Sequence, residues 1–136
     1  MIDMTKSLKQ LGAIPDLSTG GEDWPSTLVS TCKRLYEKPL KDFTTEDLRI
    51  MIGQEIGIEL LAPMALERLA DNPFHQGDYY PGDLLMNLLR LPAGFWHKHP
   101  DLRWELAAIV QSAVSAIDHL LPEIRRFQST VLTRGE

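Results

Sequence analysis

Apolar residues recur at intervals of three and four along most of this chain, which is the spacing that lines one face of an α-helix. The longest such row consists of Leu102, Leu106, Ile109, Ala113, Ile117 and Leu120. No segment alternates apolar and polar residues as a half-buried strand does. The pattern predicts an all-α fold in which the helix after Pro100 is the central core helix.

Capping residues and prolines divide the first half of this pattern into helices. The apolar spacing predicts a helix that begins at Ser26 and ends before Pro39. Thr44 is placed to cap the free backbone amides of a second helix, whose acidic first turn suits the positive end of the helix dipole. Gly57 is predicted to end this second helix, since glycine readily adopts the backbone conformation that follows a helix.

The second half of the chain is predicted to contain the remaining helices. One should run from about residue 60 to 70, with Pro63 in its first turn, where proline is tolerated. A leucine-rich helix should follow Asp83, and a short turn or helix should hold Trp96. Pro122 is predicted to begin a last helix. Its apolar positions are Ile124, Phe127 and Val131.

Length and composition allow a single hydrophobic core. A chain of 136 residues with 43% hydrophobic residues can bury such a core without disulfides or metal. We expect a compact single-domain bundle of about six helices over residues 26–136, preceded by an N-terminal arm or loop over residues 1–25. Cys32 is the only cysteine and lies on an apolar helical face, so it is predicted to be buried. No secretion signal or membrane span is recognisable, so we expect a cytoplasmic protein.

Acidic residues are concentrated in the middle of the chain. Residues 42–83 hold nine acidic residues against two basic ones, a net charge of −7, whereas residues 97–136 hold five of each sign. A negative surface of this kind repels nucleic acid and anionic membranes and attracts a basic partner. An ordinary solvated surface explains the same composition equally well. The charge distribution therefore argues against direct binding of nucleic acid or membrane.

The residue types that catalysis requires do not form a recognisable site. His97 and His99 are two residues apart, so on a helix they point to different sides, and no second pair has metal-ligand spacing. Cys32 is predicted to be buried rather than reactive. Asp78 and Asp83 are the nearest approach to paired catalytic carboxylates, but Asp83 has a simpler role at a helix N-terminus. We expect a protein that is not an enzyme and needs no metal or cofactor.

The segment from Asp71 to Asp83 combines acidic and aromatic residues. Aromatic rings flanked by acids are typical of an interface that pairs with basic residues. The alternative is that Phe74 and one tyrosine pack under the loop as part of the core. We expect one ring of Tyr79 and Tyr80 to be buried and the other to be exposed.

Several short motifs occur in order between residues 21 and 100. They are Gly21-Glu22-Asp23-Trp24, Leu35, Lys38-Pro39-Leu40, Thr45-Glu46-Asp47-Leu48-Arg49, Ile52-Gly53-Gln54, Pro63, Ala65-Leu66-Glu67, Gly77-Asp78, Tyr80-Pro81-Gly82-Asp83-Leu84-Leu85, Trp96 and Pro100. In this order and spacing, the chain resembles the CdiI-type immunity proteins of bacterial contact-dependent growth inhibition systems. The resemblance covers more than half of the sequence, and residues 101–136 match only in helical character.

The resemblance implies a cytoplasmic protein that binds the C-terminal toxin domain of a CdiA-type protein and blocks its active site or substrate surface. Such toxins are often nucleases, commonly RNases that act on tRNA. An acidic inhibitor complements a basic RNA-binding cleft, so the charge distribution agrees with this implication. The alternative from another class is a generic acidic helical adaptor or regulator that uses the same loop for a different bacterial partner.

The candidate toxin-binding residues come mainly from the acidic and aromatic loop. Two further acids belong to the first of the motifs above. The full set is Asp71, His75, Asp78, Tyr79, Tyr80, Asp83, Glu22 and Asp23.

Overall fold

The computed structural model of the chain describes residues 2–13 and 26–132. Within those residues it contains six α-helices and no strand apart from two isolated β-bridges. The helices are α1 (Ser26–Tyr36), α2 (Thr45–Gly53), α3 (Ile58–Asp71), α4 (Asp83–Leu89), α5 (Ala93–Lys98) and α6 (Pro100–Phe127), with a 3-10 turn at Leu40–Asp42 and a π-helical turn at Gln128–Leu132. The prediction of an all-α fold is confirmed.

The N-terminal residues 2–13 pack against the end of α1. Leu8 is completely buried, and the backbone N–H of Lys9 donates to the carbonyl of Tyr36 at 3.1 Å. The hydroxyl of Tyr36 in turn donates to the carbonyl of Ala13 at 2.6 Å. This part of the N-terminal segment therefore contributes a side chain to the same core as the helices.

Thr44 caps the start of α2, as the sequence predicts, and the structure shows that the cap is reciprocal. The N–H of Asp47 donates to the Thr44 hydroxyl at 3.1 Å, and the N–H of Thr44 donates to the Asp47 carboxylate at 3.0 Å. Lys38 also donates to this carboxylate, at 2.6 Å. Burial alone would raise the pKa of Asp47, but these donors outweigh it and the pKa lies below its ordinary value.

The prediction that Gly57 ends α2 is wrong. The helix ends at Gly53, and Gly57 lies immediately before α3 with a φ of 64°. Glycine adopts this left-handed conformation without strain. The side chain of Leu8 also approaches closely, since a Cβ on Gly57 would lie 2.8 Å from one of its methyl groups. The glycine thus turns the chain from α2 into α3.

Pro63 lies in the interior of α3, so its predicted position in the first turn is wrong. It is the sixth residue of the helix and cannot donate a hydrogen bond to the carbonyl of Glu59. The helix continues because its apolar face is buried against α2 and α6. Leu61, Leu66 and Leu69 on that face are fully buried. Tertiary packing therefore outweighs the cost of the proline.

The hydrophobic core lies between α2, α3 and α4, and it is closed by α1, α5 and the first half of α6. Cys32 is buried in it as predicted, and burial raises the pKa of its thiol. The short helix α5 contributes Phe95 and Trp96, whose rings meet edge to face at 5.0 Å. These elements hold the connection between α3 and α4 at one surface of the domain.

The sequence-based prediction is only half right for α6. Pro122 does not begin a new helix, since α6 runs without a break from Pro100 to Phe127. Only the first half of the helix packs on α3 and α5, burying Leu106, Ile109 and Ala113. The predicted core positions of the second half are exposed, and these are Ile117, Leu120, Ile124, Phe127 and Val131.

Candidate functional site

Residues 74–82, which make up most of the connection from α3 to α4, form the acidic aromatic loop. The loop is closed at its base, where the N–H of Gly82 donates to the carbonyl of Phe74 at 3.2 Å and Gln76 forms a β-bridge with Pro81. Gly82 has a φ of 91°, which leads the chain into α4. Both ends of the loop are therefore held by backbone contacts.

Asp83, the first residue of α4, organises the loop from below. It is 2% exposed, and its carboxylate accepts from the backbone N–H groups of Gly77 at 2.7 Å, Tyr79 at 3.1 Å and Tyr80 at 3.4 Å. Burial alone would raise the pKa of Asp83, but these three donors and the nearby Arg49 hold it below its ordinary value. The carboxylate is thus a buried anion that folds the loop around itself.

Two residues of α2 support the loop from the side. Arg49 donates to the Glu46 carboxylate through Nε at 2.6 Å and Nη2 at 2.5 Å, and it lies 3.9 Å from Asp83. Glu46 also accepts from the N–H of Asp78 at 2.8 Å. The paired contact with Arg49 lowers the pKa of Glu46 and raises that of Arg49. This network joins α2, the loop and α4.

Gly77 sits where these groups converge and has no room for a side chain. A Cβ at this position would lie 2.5 Å from Oε1 of Glu46 and 3.1 Å from Oδ2 of Asp83. Because both neighbours are held by other hydrogen bonds, neither can move away cheaply. The close approach of the loop to α2 therefore depends on glycine here.

The tip of the loop projects the side chains that the network does not use. Tyr79 is 68% exposed and Tyr80 is 45% exposed, so the prediction that one ring is buried is wrong. Asp83 occupies the space beneath the loop, and the Tyr79 ring instead lies over the Arg49 guanidinium at 4.3 Å. Asp78 is also exposed, whereas Phe74 is half-buried against the core.

The structure separates the residues that the sequence grouped together. Asp71 is exposed at the end of α3 and His75 is half-buried in the loop, while Asp83 is buried and faces the interior. Glu22 and Asp23 lie outside the described residues. The supporting pair Glu46 and Arg49 was not predicted as part of the site. Their spacing of three is common on helices, and Asp78, which donates to Glu46, lies 32 residues after it in the sequence.

A cleft of about 370 Å³ opens beside Tyr79, between α2 and α4. It is lined in part by Arg49, Arg90, Gln54 and Asn87, so its polar groups are cationic or neutral. Asn87 donates to the carbonyl of Arg49 at 2.8 Å, which ties the two helices together. The loop therefore offers aromatic rings and an acid at its tip, with hydrogen-bond donors next to them.

The acidity of residues 42–83 is largely a surface property. Three of their nine acids form the internal contacts described above, and the segment's two bases are half-buried. Arg49 is engaged by Glu46, and Arg68 donates to the carbonyl of Phe43 and to the hydroxyl of Thr45. The remaining acids are all exposed, and these are Asp42, Glu55, Glu59, Glu67, Asp71 and Asp78.

In the part of the chain that the structure describes, no group of three or more His, Cys, Asp and Glu side chains is close enough to hold a metal ion. His99 packs on the ring of Phe95 at 4.7 Å, whereas His97 is exposed. None of the helices in residues 2–13 and 26–132 is long and apolar enough to cross a membrane.

The lowered pKa values of Glu46, Asp47 and Asp83 predict a loss of stability in acid. Unfolded carboxyl groups take up protons below about pH 4, before the folded ones do. The stabilisation is therefore complete above that pH and disappears as the pH falls through the folded pKa values. Urea unfolding between neutral and acid pH should show this decline, with a shallower slope in Asp83→Asn. An equal slope in both proteins would contradict the assignment to Asp83.

The loop and the residues that support it lie in a range that matches a known protein family. A family model described as CDI immunity proteins matches residues 18–106, about two thirds of the chain. Neither a curated protein nor a solved structure gives a match. The matched range includes the acidic aromatic loop and its supports on α2 and α4, and it ends within the first half of α6.

Proposed function

Because this chain belongs to the CDI immunity proteins, which neutralise the toxins of contact-dependent growth inhibition, we propose that it acts by covering the active site of a basic nuclease toxin. Family membership favours this function over a generic helical adaptor, the alternative that composition alone leaves open. The observation that carries the proposal is the acidic aromatic loop, in which Asp78, Tyr79 and Tyr80 are exposed on a backbone held by Asp83 and Glu46.

The charges of the protein support a basic partner. All exposed charged residues in residues 42–83 are acidic, since Arg49 and Arg68 are engaged in internal contacts. A nuclease that binds RNA presents basic residues in its substrate cleft. Complementary charge speeds the encounter of such partners and orients them. A tRNA-cleaving RNase is thus the toxin class that we propose.

The loop has the properties of a prepared binding surface. Tyrosines supply a large contact area with few rotatable bonds, and they are frequent among the residues that dominate binding energy. Here their backbone is already fixed by Asp83 and Glu46, so little conformational freedom is lost on binding. Asp78 adds a carboxylate that can pair with a basic side chain of the toxin.

The proposed mechanism is occlusion without turnover. The loop seats its rings and Asp78 at the toxin's substrate cleft, and the surrounding acids cover the cationic groups that would bind RNA. Donors in the cleft beside Tyr79, including Arg90, are placed to meet acidic or carbonyl groups at the rim of the toxin site. An inhibitor of this kind needs a slow off-rate, because released toxin is active again.

Co-expression with the CdiA C-terminal toxin domain encoded immediately upstream tests the function. We expect restored growth, a stable complex on purification, and loss of tRNA cleavage once one equivalent of this protein is present. Because the attraction is between charged surfaces, the association rate should fall as the salt concentration rises. Growth assays, size exclusion with tRNA cleavage gels, and stopped-flow binding measure these three effects.

Each part of the proposal has its own contradicting result. Toxicity that persists while both proteins are soluble would reject neutralisation. A stable complex that still cleaves tRNA would reject occlusion of the active site. A toxin domain that leaves all RNA intact but is nevertheless neutralised would reject the nuclease assignment alone.

A further inference from the structure

The second half of α6 and the π-helical turn after it carry an apolar stripe that is largely exposed, with Phe74 lying beside part of it. Its residues extend beyond the part of the helix that packs on α3, and they follow the range that matches the immunity family. Each is between 38% and 65% exposed. The apolar stripe consists of Val114, Ile117, Leu120, Leu121, Ile124, Phe127, Val131 and Leu132.

The stripe has the heptad spacing of a helix that pairs with another helix. Ile117 and Ile124 of the stripe are seven residues apart, as are Leu120 and Phe127. The two rows continue N-terminally into Val110, which is partly buried, and Ala113, which is buried in the core. The row of Ile117 and Ile124 would occupy the a positions of a helix pair, and the row of Leu120 and Phe127 the d positions. The charged residues Asp118, Arg125 and Arg126 fall at outer positions of the same heptads.

The exposed area matches what a stable dimer needs. The stripe amounts to on the order of 700 Å² of apolar surface, above the few hundred Å² typical of the largest patch on a monomer. Pairing two copies would bury at most roughly 1,400 Å², which is within the range of stable protein interfaces. A self-complementary heptad pattern with this area favours a second copy of the same chain as the occupant.

We infer that the second half of α6 pairs with the same segment of a second chain in antiparallel orientation. The orientation follows from α3, which packs on α6 so that Leu66 and Ala70 line a cleft together with Ile109 on the first half of α6. A parallel partner helix would occupy the space that α3 fills. An antiparallel partner overlaps only the free halves, of which the α-helical part, residues 114–127, is ~21 Å long.

The antiparallel register places the two chains symmetrically about Pro122. Leu120 of one copy then packs against Ile124 of the other, and Ile117 packs against Phe127. An entirely apolar cleft of about 220 Å³ between Phe74 and this part of α6 borders the contact. It offers space for a large side chain of the partner helix, so the contact extends past the helix pair itself.

Sedimentation velocity of the full chain tests the dimer. We expect wild type to sediment with twice the mass of one chain, and Leu120→Glu with Ile124→Glu to raise the dimer dissociation constant by at least ~100-fold, because each charge would be buried in the contact. Gln111→Glu with Ser115→Glu is the matched control, since it adds the same charges on the outer face and should remain dimeric.

Cysteine cross-linking tests the orientation with a short bismaleimide linker. Leu121→Cys lies near the twofold axis and should cross-link, whereas two copies of Val131→Cys would be about 27 Å apart and should not. Wild type is the blank, because Cys32 is buried. Efficient linking of Val131→Cys would overturn the antiparallel arrangement.

Three other results would overturn the dimer itself. One is a wild-type protein that is monomeric at every concentration tested. Another is a Leu120→Glu and Ile124→Glu variant that is as dimeric as the control variant. The third is a mass that grows beyond two chains, since this would indicate open-ended association. Toxin neutralisation is a separate measurement, because the dimer is argued from the stripe and the proposed function from the acidic aromatic loop.

Discussion

Replacing Asp83 with alanine is expected to lower the free energy of unfolding by about 3 kcal/mol. The change removes a buried carboxylate and leaves the N–H groups of Gly77 and Tyr79 without their acceptor. It also removes the negative charge that lies 3.9 Å from Arg49. The same charge stabilises the first turn of α4, where the helix dipole is positive. Urea unfolding followed by far-UV circular dichroism measures the effect.

The matched control for this change is Asp78→Ala in the same loop. Its side chain is exposed, so the change should alter the free energy of unfolding by less than about 0.5 kcal/mol. Asp83→Asn should change the free energy of unfolding by an intermediate amount. Its carbonyl oxygen can still accept a hydrogen bond, but its NH₂ group would face backbone N–H donors. If Asp83→Ala costs no more than Asp78→Ala, Asp83 does not hold the loop.

The double change of Tyr79→Ala with Tyr80→Ala is expected to weaken toxin binding by about 100-fold or more, which is ~2.7 kcal/mol. Both rings are exposed in the free protein, so the loss falls on binding rather than on folding. Within the chain the change removes the contact of Tyr79 with Arg49, at a cost of about 0.5–1 kcal/mol. Titration calorimetry with a catalytically inactive toxin domain measures the affinity.

Two controls separate the loop from the rest of the surface. Trp104→Ala removes an exposed ring from α6 and should leave toxin affinity unchanged. Asp78→Lys should slow toxin association more than Glu67→Lys, which makes the same charge change at an exposed site on α3. Unchanged affinity in the tyrosine variant would place the toxin interface elsewhere on the protein.

The Asp83 variant and the tyrosine variant distinguish a residue that supports the loop from residues that contact the toxin. Asp83→Ala should reduce both stability and toxin affinity, because it disorders the backbone that presents the rings. The tyrosine variant should reduce affinity while the unfolding transition stays nearly in place. A charge reversal at Asp83, a buried residue, therefore reports on folding and cannot be used to map the interface.

Most helices of this fold could be predicted from the sequence because their signals are local. The cap formed by Thr44, the apolar face of α1 and the leucines of α4 depend on residues within a few positions of one another. The Gly57 and Pro63 predictions fail because each residue suits more than one local role. Their positions are set by tertiary contacts, which are those of Gly57 with Leu8 and those of the helix that holds Pro63 with α2 and α6.

The candidate site was only half predictable. Composition identified a loop of acids and aromatic rings, but Asp78 and Asp83 look alike in sequence. Their roles differ because Asp83 meets three backbone N–H groups in the interior, while Asp78 offers only its own N–H to Glu46. Hydrogen bonds that span 32 residues have no local signature.

The periodicity of the sequence determined that the chain is helical and that the segment after Pro100 has an apolar helical face, although it predicted a new helix at Pro122 that the structure does not have. It did not determine what that face contacts. Only the tertiary structure decided this, because α3 is 14 residues long and α6 is 28, so the shorter helix covers half of the longer one. A hydrophobic stripe shows which side of a helix avoids water. The lengths and positions of the neighbouring helices decide which part of that side is buried within the chain and which part is left for another protein surface.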